Sequence, residues 1–132
     1  MSYPKPSPKP SVRPVARLAT GLAAAALLLA APAAAQASWG AIAVDPVTGK
    51  YGVSFDFNTA SGAQHRARVE CGTNHCKVAV WVANGYAALV QKRSNDLYFA
   101  GYGRTKHKAF KVATHRAHEP GARHIAFVFS GY

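Results

Sequence analysis

Carboxylates are what this sequence has least of: five Asp and Glu stand among 132 residues, against sixteen Lys and Arg. A glycosidase needs two carboxylates flanking one bond, and Mg²⁺-dependent phosphoryl chemistry needs several clustered oxygens. Asp56 and Glu70 make the best available pair, and a strand and a helix separate them in the pattern described below. Ser54, Ser61, Ser94 and Ser130 lack the Gly-x-Ser-x-Gly context that exposes a serine nucleophile. No Gly-rich loop ends in Lys-Ser or Lys-Thr, so a phosphate cradle of that type is absent. Cysteine is reduced to Cys71 and Cys76. No dense run of Lys or Arg occurs, and no apolar stretch reaches the about 20 residues of a membrane span. Catalysis is disfavoured, no cofactor is implied, and a cleaved leader is favoured over an uncleaved membrane anchor.

The first residues carry a different message. Residues 1–17 hold Lys5, Lys9, Arg13 and Arg17, five prolines and no acid. The fourteen residues Leu18–Ala31 are apolar except for Thr20, and Pro32 ends them. Small residues at Ala33 and Ala35, or Ala35 and Ala37, then fit signal peptidase. Residues 1–37 are therefore expected to form a signal peptide with a long basic, Pro-rich leader. Residues 38–132 are expected to be a single mature domain without a transmembrane segment, secreted or periplasmic.

From Ser38 onward six Lys and six Arg face three Asp and two Glu, a formal excess of seven positive charges. All six histidines lie here too, so acidification would add more. A basic exported domain meets polyanions. Both cysteines are in this oxidising part of the chain, where an even count and a spacing of five favour a mutual disulfide. Closing so short a loop contributes ~2 kcal/mol in the chain-entropy model. Zinc would need more ligands than Cys71, Cys76 and His75, and none stands at ligand spacing.

Hydrophobic period divides the rest into two similar units, 39–83 and 86–130. Trp39–Val44 reads as a strand, Asp45–Gly49 as a turn, and Tyr51–Phe57 as a strand with Tyr51, Val53, Phe55 and Phe57 on its apolar side. Thr59 is the expected N-cap of a helix that Gly72 ends, and Lys77–Ala83 is the third strand. Asn84-Gly85 reads as a tight hairpin turn. The pattern then begins again, Tyr86–Val90 matching Gly40–Val44. Leu97–Gly103 is the alternating strand and Thr105 the second cap. Ala109, Ala113 and Ala117 fall 46 residues after Ala63, Ala67 and Cys71. Glu119-Pro120-Gly121 stops the helix, and His124–Ser130 is a last strand with Ile125, Phe127 and Phe129 as its apolar set. The expected fold class is α+β, a tandem β-β-α-β repeat forming an antiparallel sheet with two helices packed on it.

Trp39-Gly40-Ala41-Ile42-Ala43, Tyr51-Gly52-Val53-Ser54, the helix ending Cys71-Gly72, and Cys76-Lys77-Val78-Ala79-Val80-Trp81 together resemble a bacterial exported family, domain of unknown function family 4189. The resemblance runs from Trp39 to about Ser130 and supports the Cys71–Cys76 bridge. It implies further cysteines near the middle of the chain and the end of the second helix. Tyr86, Ala117, His118 and Arg123 stand at or near those places here, so no second bridge is implied. No catalytic residue carries over.

Histidine is the enriched reactive type. His107, Lys111, His115 and His118 fall on one face of the second helix, and His124 follows on the next strand. A metal would need a third or fourth ligand with carboxylate support, and Glu119 alone is near, so no metal is expected. Tyr98, Phe99 and Tyr102 interleave with Arg104, Lys106 and Lys108. At period two, Tyr98 and Tyr102 are more readily core residues than a stacking surface. The expected function is non-catalytic binding of an anionic envelope polymer or a protein partner through Arg104, Lys106, His107, Lys108, Lys111 and His115, with nucleic acid less supported. The competing expectation is a small secreted hydrolase or toxin-like effector acting through His115 and His118.

Overall fold

The computed structural model describes residues 36–131. The expected signal peptide, with its cleavage site, lies outside the described residues. The elements are β1 (Trp39–Val44), β2 (Tyr51–Phe57), α1 (Ala60–Cys71), β3 (Lys77–Ala83), β4 (Gly85–Gln91), β5 (Tyr98–Gly103), α2 (Lys106–Ala117) and β6 (Arg123–Ser130). This is the α+β class with strand–strand–helix–strand twice over. Among the described residues no helix is long and apolar enough to cross a membrane.

The strands form two antiparallel three-stranded sheets, β2-β1-β3 and β5-β4-β6, where the sequence suggested one. Asn84-Gly85 is the reason. The sequence reads it as a hairpin, yet β3 and β4 do not pair. Asn84 takes a left-handed φ of 49° and carries the chain from one sheet to the other. Its side-chain oxygen accepts from the Ser38 N–H at 2.9 Å, and its own N–H donates to the Ser38 carbonyl at 2.9 Å.

The sheets stack face to face. Ile42, Val44, Val80 and Val82 of the first meet Ala87, Leu89 and Val128 of the second in one core. The alternate residues of the central strands point outward to helices. Ala41 and Ala43 meet Ala63, Ala67 and Cys71 of α1, while Ala88 and Val90 meet Ala109, Phe110, Ala113 and Ala117 of α2. The layers are helix, sheet, sheet, helix. Both faces of β1 and β4 are covered, which is why these strands read as continuous apolar runs.

The helices begin alike. The Thr59 hydroxyl accepts from Gly62 N–H and the Thr105 hydroxyl from Lys108 N–H, each at 3.1 Å. Each helix rests on a strand at a glycine that leaves room for the helix backbone. A Cβ at Gly52 would sit 2.7 Å from the Glu70 carbonyl carbon, and one at Gly101 would sit 2.6 Å from the Ala109 oxygen. The alternation read for β2 is corrected accordingly. Its buried residues are Gly52 and Ser54, beneath α1, while Tyr51 and Phe55 are exposed.

Strand pairing aligns the first strands of the two halves one residue away from the sequence reading. Asp45 N–H donates to the Lys50 carbonyl, and Lys92 N–H to the Leu97 carbonyl, both at 2.8 Å. Ala41 faces Ser54 and Trp81, while Ala88 faces Gly101 and Phe127. The first strands therefore match with Ala41 on Ala88, not on Ala87. Even an irregularity repeats: the register of β1 on β3 slips between Ile42 and Ala43, and that of β4 on β6 between Leu89 and Val90.

Cys71 and Cys76 are disulfide-bonded, tying the end of α1 to the start of β3. Ala117 and Ala122 hold the matching places in the second unit, both buried. In each unit the turn after β1 or β4 is also tied to the residue beyond the helix. The Thr73 hydroxyl donates to Asp45 at 2.7 Å, and Arg93 N–H and the Ser94 hydroxyl donate to Glu119 at 3.0 Å each.

Asp45 is fully enclosed. The Thr73 hydroxyl, helped by Val47 and Thr48, holds its carboxyl well below the usual carboxylate range against the opposing effect of burial. A depressed carboxylate stabilises the fold fully above its unfolded pKa of about 4 and loses that contribution progressively as pH falls from there through its lower folded pKa. Melting temperature is therefore expected to hold down to about pH 4 and then drop, and Asp45→Asn should flatten that drop. Thermal melts across pH check this.

Candidate anion-binding face

Helix α2 presents its polar side to solvent because Ala109, Ala113 and Ala117 occupy the side that meets β4 and β5. Lys106, His107, Lys108, Lys111, His115 and Arg116 are all exposed. Lys106 and Lys108 occupy the first turn, which contains no acid. Cations at the positive end of a helix dipole cost about 0.3–1 kcal/mol each when exposed. Helix α1 does not carry that cost, since its matching residues are Ala60 and Gly62.

Two adjoining grooves run along this face and share His107, Lys111 and His115. The larger, of about 640 Å³, is walled by His118, Glu119, Pro120 and His124 and floored by Phe110. The Phe110 and His124 rings are stacked with centroids 3.9 Å apart and planes 13° apart. Glu119 is the only carboxylate lining it among the described residues, and Arg93 and Ser94 already occupy its oxygens. Burial raises the Glu119 carboxyl pKa, but these hydrogen bonds and Lys92 outweigh that, so the net direction is downward and it stays anionic.

The six residues expected to bind do not form one site. His107, Lys108, Lys111 and His115 line one groove on α2, while Lys106 lies toward β6 with its ammonium over the Phe127 ring. Arg104 instead lines a separate cleft with Asn84, Tyr102 and Lys108. His115 and His118 have ring centroids 6.1 Å apart, and no group of three or more metal-ligating side chains gathers among the described residues. His118 closes α2 with a φ of 51°, a left-handed position that Gly72 fills in the first unit. A side chain there is strained. His118→Gly is expected to raise stability by about 1 kcal/mol, read from urea melts.

Sequence reasoning missed the aromatic part of this surface. Tyr98 packs half-buried against the inter-sheet core. Tyr102 is exposed beside Arg116, whose guanidinium donates to the Ala100 carbonyl at 2.8 Å. The open rings are on β6, where Phe127 and Phe129 were expected in the core and instead remain 44% and 45% exposed. Val128, the alternate residue, is the one turned inward. The signal available was that Ala126 and Val128 are apolar as well, so β6 is apolar on both faces while a sheet edge can bury only one.

The chain belongs to the family described as Domain of unknown function (DUF4189), whose model matches residues 39–124. It is similar to the NMR structure of Rv1813c from Mycobacterium tuberculosis, at 27% identity and a TM-score of 0.55, over 70% of this chain and 74% of that one. No curated protein matches it. The family and its fold are thus established, and its description assigns no activity.

Proposed function

We propose that this is an exported, non-catalytic domain that binds an anionic partner through the outward face of α2, acting in the periplasm or outside the cell. The observation that carries this reading is the asymmetry of the two units. Helix α2 holds Lys106, Lys108, Lys111 and Arg116 with no acid, whereas α1 holds Arg66, Arg68 and Glu70, with Arg66 paired to Glu70. One fold built twice needs the same alanines in both helices for packing. It does not need four cations in one of them. The basic leader, the apolar segment and the small residues after it, together with the disulfide, support export.

Retention on isolated cell envelope and on DNA, compared at low and high salt, tests it. The expected result is binding at low salt that falls steeply as salt rises, because released counterions drive such association. Absence of retention in both conditions, or retention indifferent to salt, would remove the reading.

A further inference from the structure

We infer that the exposed surface where β6 lies beside α2 is a stacking track for single-stranded nucleic acid, with bases on the β6 rings and phosphates toward the α2 cations. This rests on the reading of α2 as a polyanion-binding face and specifies its ligand. Tyr86 and Phe129 have ring centroids 4.7 Å apart. Phe127 lies 6.3 Å from Phe110, which in turn stacks on His124. The rings thus continue along β6 from Phe129 to His124. The slip in register at Leu89/Val90 sets His124 opposite Val90, a residue turned to α2, so His124 shares the face of Phe127. Without that slip, alternation would put Ile125 there.

Charge borders the same surface. The Lys106 ammonium lies over the Phe127 ring, 3.8 Å from its centre. A base stacking on Phe127 displaces this lysine from the ring face and frees its ammonium for the neighbouring phosphate. The first unit has no such track: Gln64, Val78 and Ala83 stand where the second has Phe110, His124 and Phe129. Trp81 matches Phe127, opposite Ala41 as Phe127 is opposite Ala88, and Trp39 holds the place of Tyr86. The fold does not require the other three rings, since its first unit does without them.

The chemistry selects the ligand class. Base stacking on aromatic rings is tolerant of sequence and needs the base faces free, which excludes a duplex. A sugar polymer would call for amide or carboxylate partners to its hydroxyls. Among the described residues the track has none, apart from Glu119 at its end, already engaged.

The test is fluorescence anisotropy of labelled oligothymidine with the exported chain, beside a duplex of equal length and immobilised dextran sulfate. The single strand should bind more tightly than the duplex. Phe127→Ala with Phe129→Ala should weaken single-strand binding on the order of tenfold or more. The same pair should leave retention on dextran sulfate unchanged, and Phe127→Trp should keep single-strand affinity. Preference for the duplex, or indifference to the paired alanines, would overturn the track while leaving a dextran sulfate ligand to α2 intact. Loss of dextran sulfate binding by the wild-type chain would instead remove the α2 reading beneath it. A dimer in sedimentation that Phe127→Ala/Phe129→Ala dissociates would assign these rings to a second copy and overturn the track.

Discussion

Gly101→Ala is expected to destabilise the domain by about 3 kcal/mol or more, and Gly52→Ala by as much. The added methyl meets helix backbone: at Gly52 it lies 2.7 Å from the Glu70 carbonyl carbon, at Gly101 2.6 Å from the Ala109 oxygen and 3.0 Å from the Ala113 Cα. A flexible side chain could swing aside from such a contact, but backbone moves only if the whole helix lifts. Lifting α2 would uncover Ala88 and Val90, both with no exposure at all. In a domain of this size the penalty corresponds to a fall in Tm of roughly 12 °C or more. Gly121→Ala provides the control. A Cβ there meets nothing within 4 Å, so stability should stay within about 0.5 kcal/mol of the parent. Thermal melts of the three variants decide it, and a mild Gly101→Ala would mean that the helices do not sit as closely as described.

The second large effect concerns the disulfide. Cys71→Ala with Cys76→Ala is expected to cost about 2 kcal/mol, because the closed loop is short. The repeat allows the converse. Ala117 and Ala122 take the positions of the two cysteines, and both loops close with the same turn, Cys76 N–H to the Thr73 carbonyl at 3.4 Å and Ala122 N–H to the Glu119 carbonyl at 3.0 Å. Ala117→Cys with Ala122→Cys should oxidise spontaneously and stabilise the second unit by about 2 kcal/mol. Combined with the first change, it should restore the melting midpoint. Oxidised and reduced urea melts measure each step, and a double variant that fails to oxidise would show that the loops differ.

Much of the fold was legible because local signals and packing agree. Thr59 and Thr105 cap the helices they were expected to cap, and Gly72 ends the first. The alanine stripes face the sheets as their spacing of four suggested. What failed was the assignment of faces. Phe55, Phe127 and Phe129 are large and apolar, so alternation sends them inward, while Gly52 and Gly101 carry no side chain for a hydrophobicity pattern to register. At both glycines the helix backbone leaves no room for a Cβ. Asn84-Gly85 misled for a related reason. The pair specifies a left-handed turn, and only the partners of Ser38 across the sheets decide whether that turn closes a hairpin or crosses between layers. At the candidate site the helix face was readable from spacing, but its joining to the β6 rings was not, since a slip in register has no signature in the sequence.

The distinction between the two units can be measured with matched pairs of substitutions. Lys108→Gln with Lys111→Gln removes two charges from α2, and Arg66→Gln with Arg68→Gln removes two from α1, leaving net charge equal in the two variants. Binding to oligothymidine and to dextran sulfate is then followed as salt is varied. The expected result is a salt slope reduced by about two for the α2 pair and unchanged for the α1 pair. Equal loss from both pairs would mean that total charge, and not the face of α2, brings this domain to its partner.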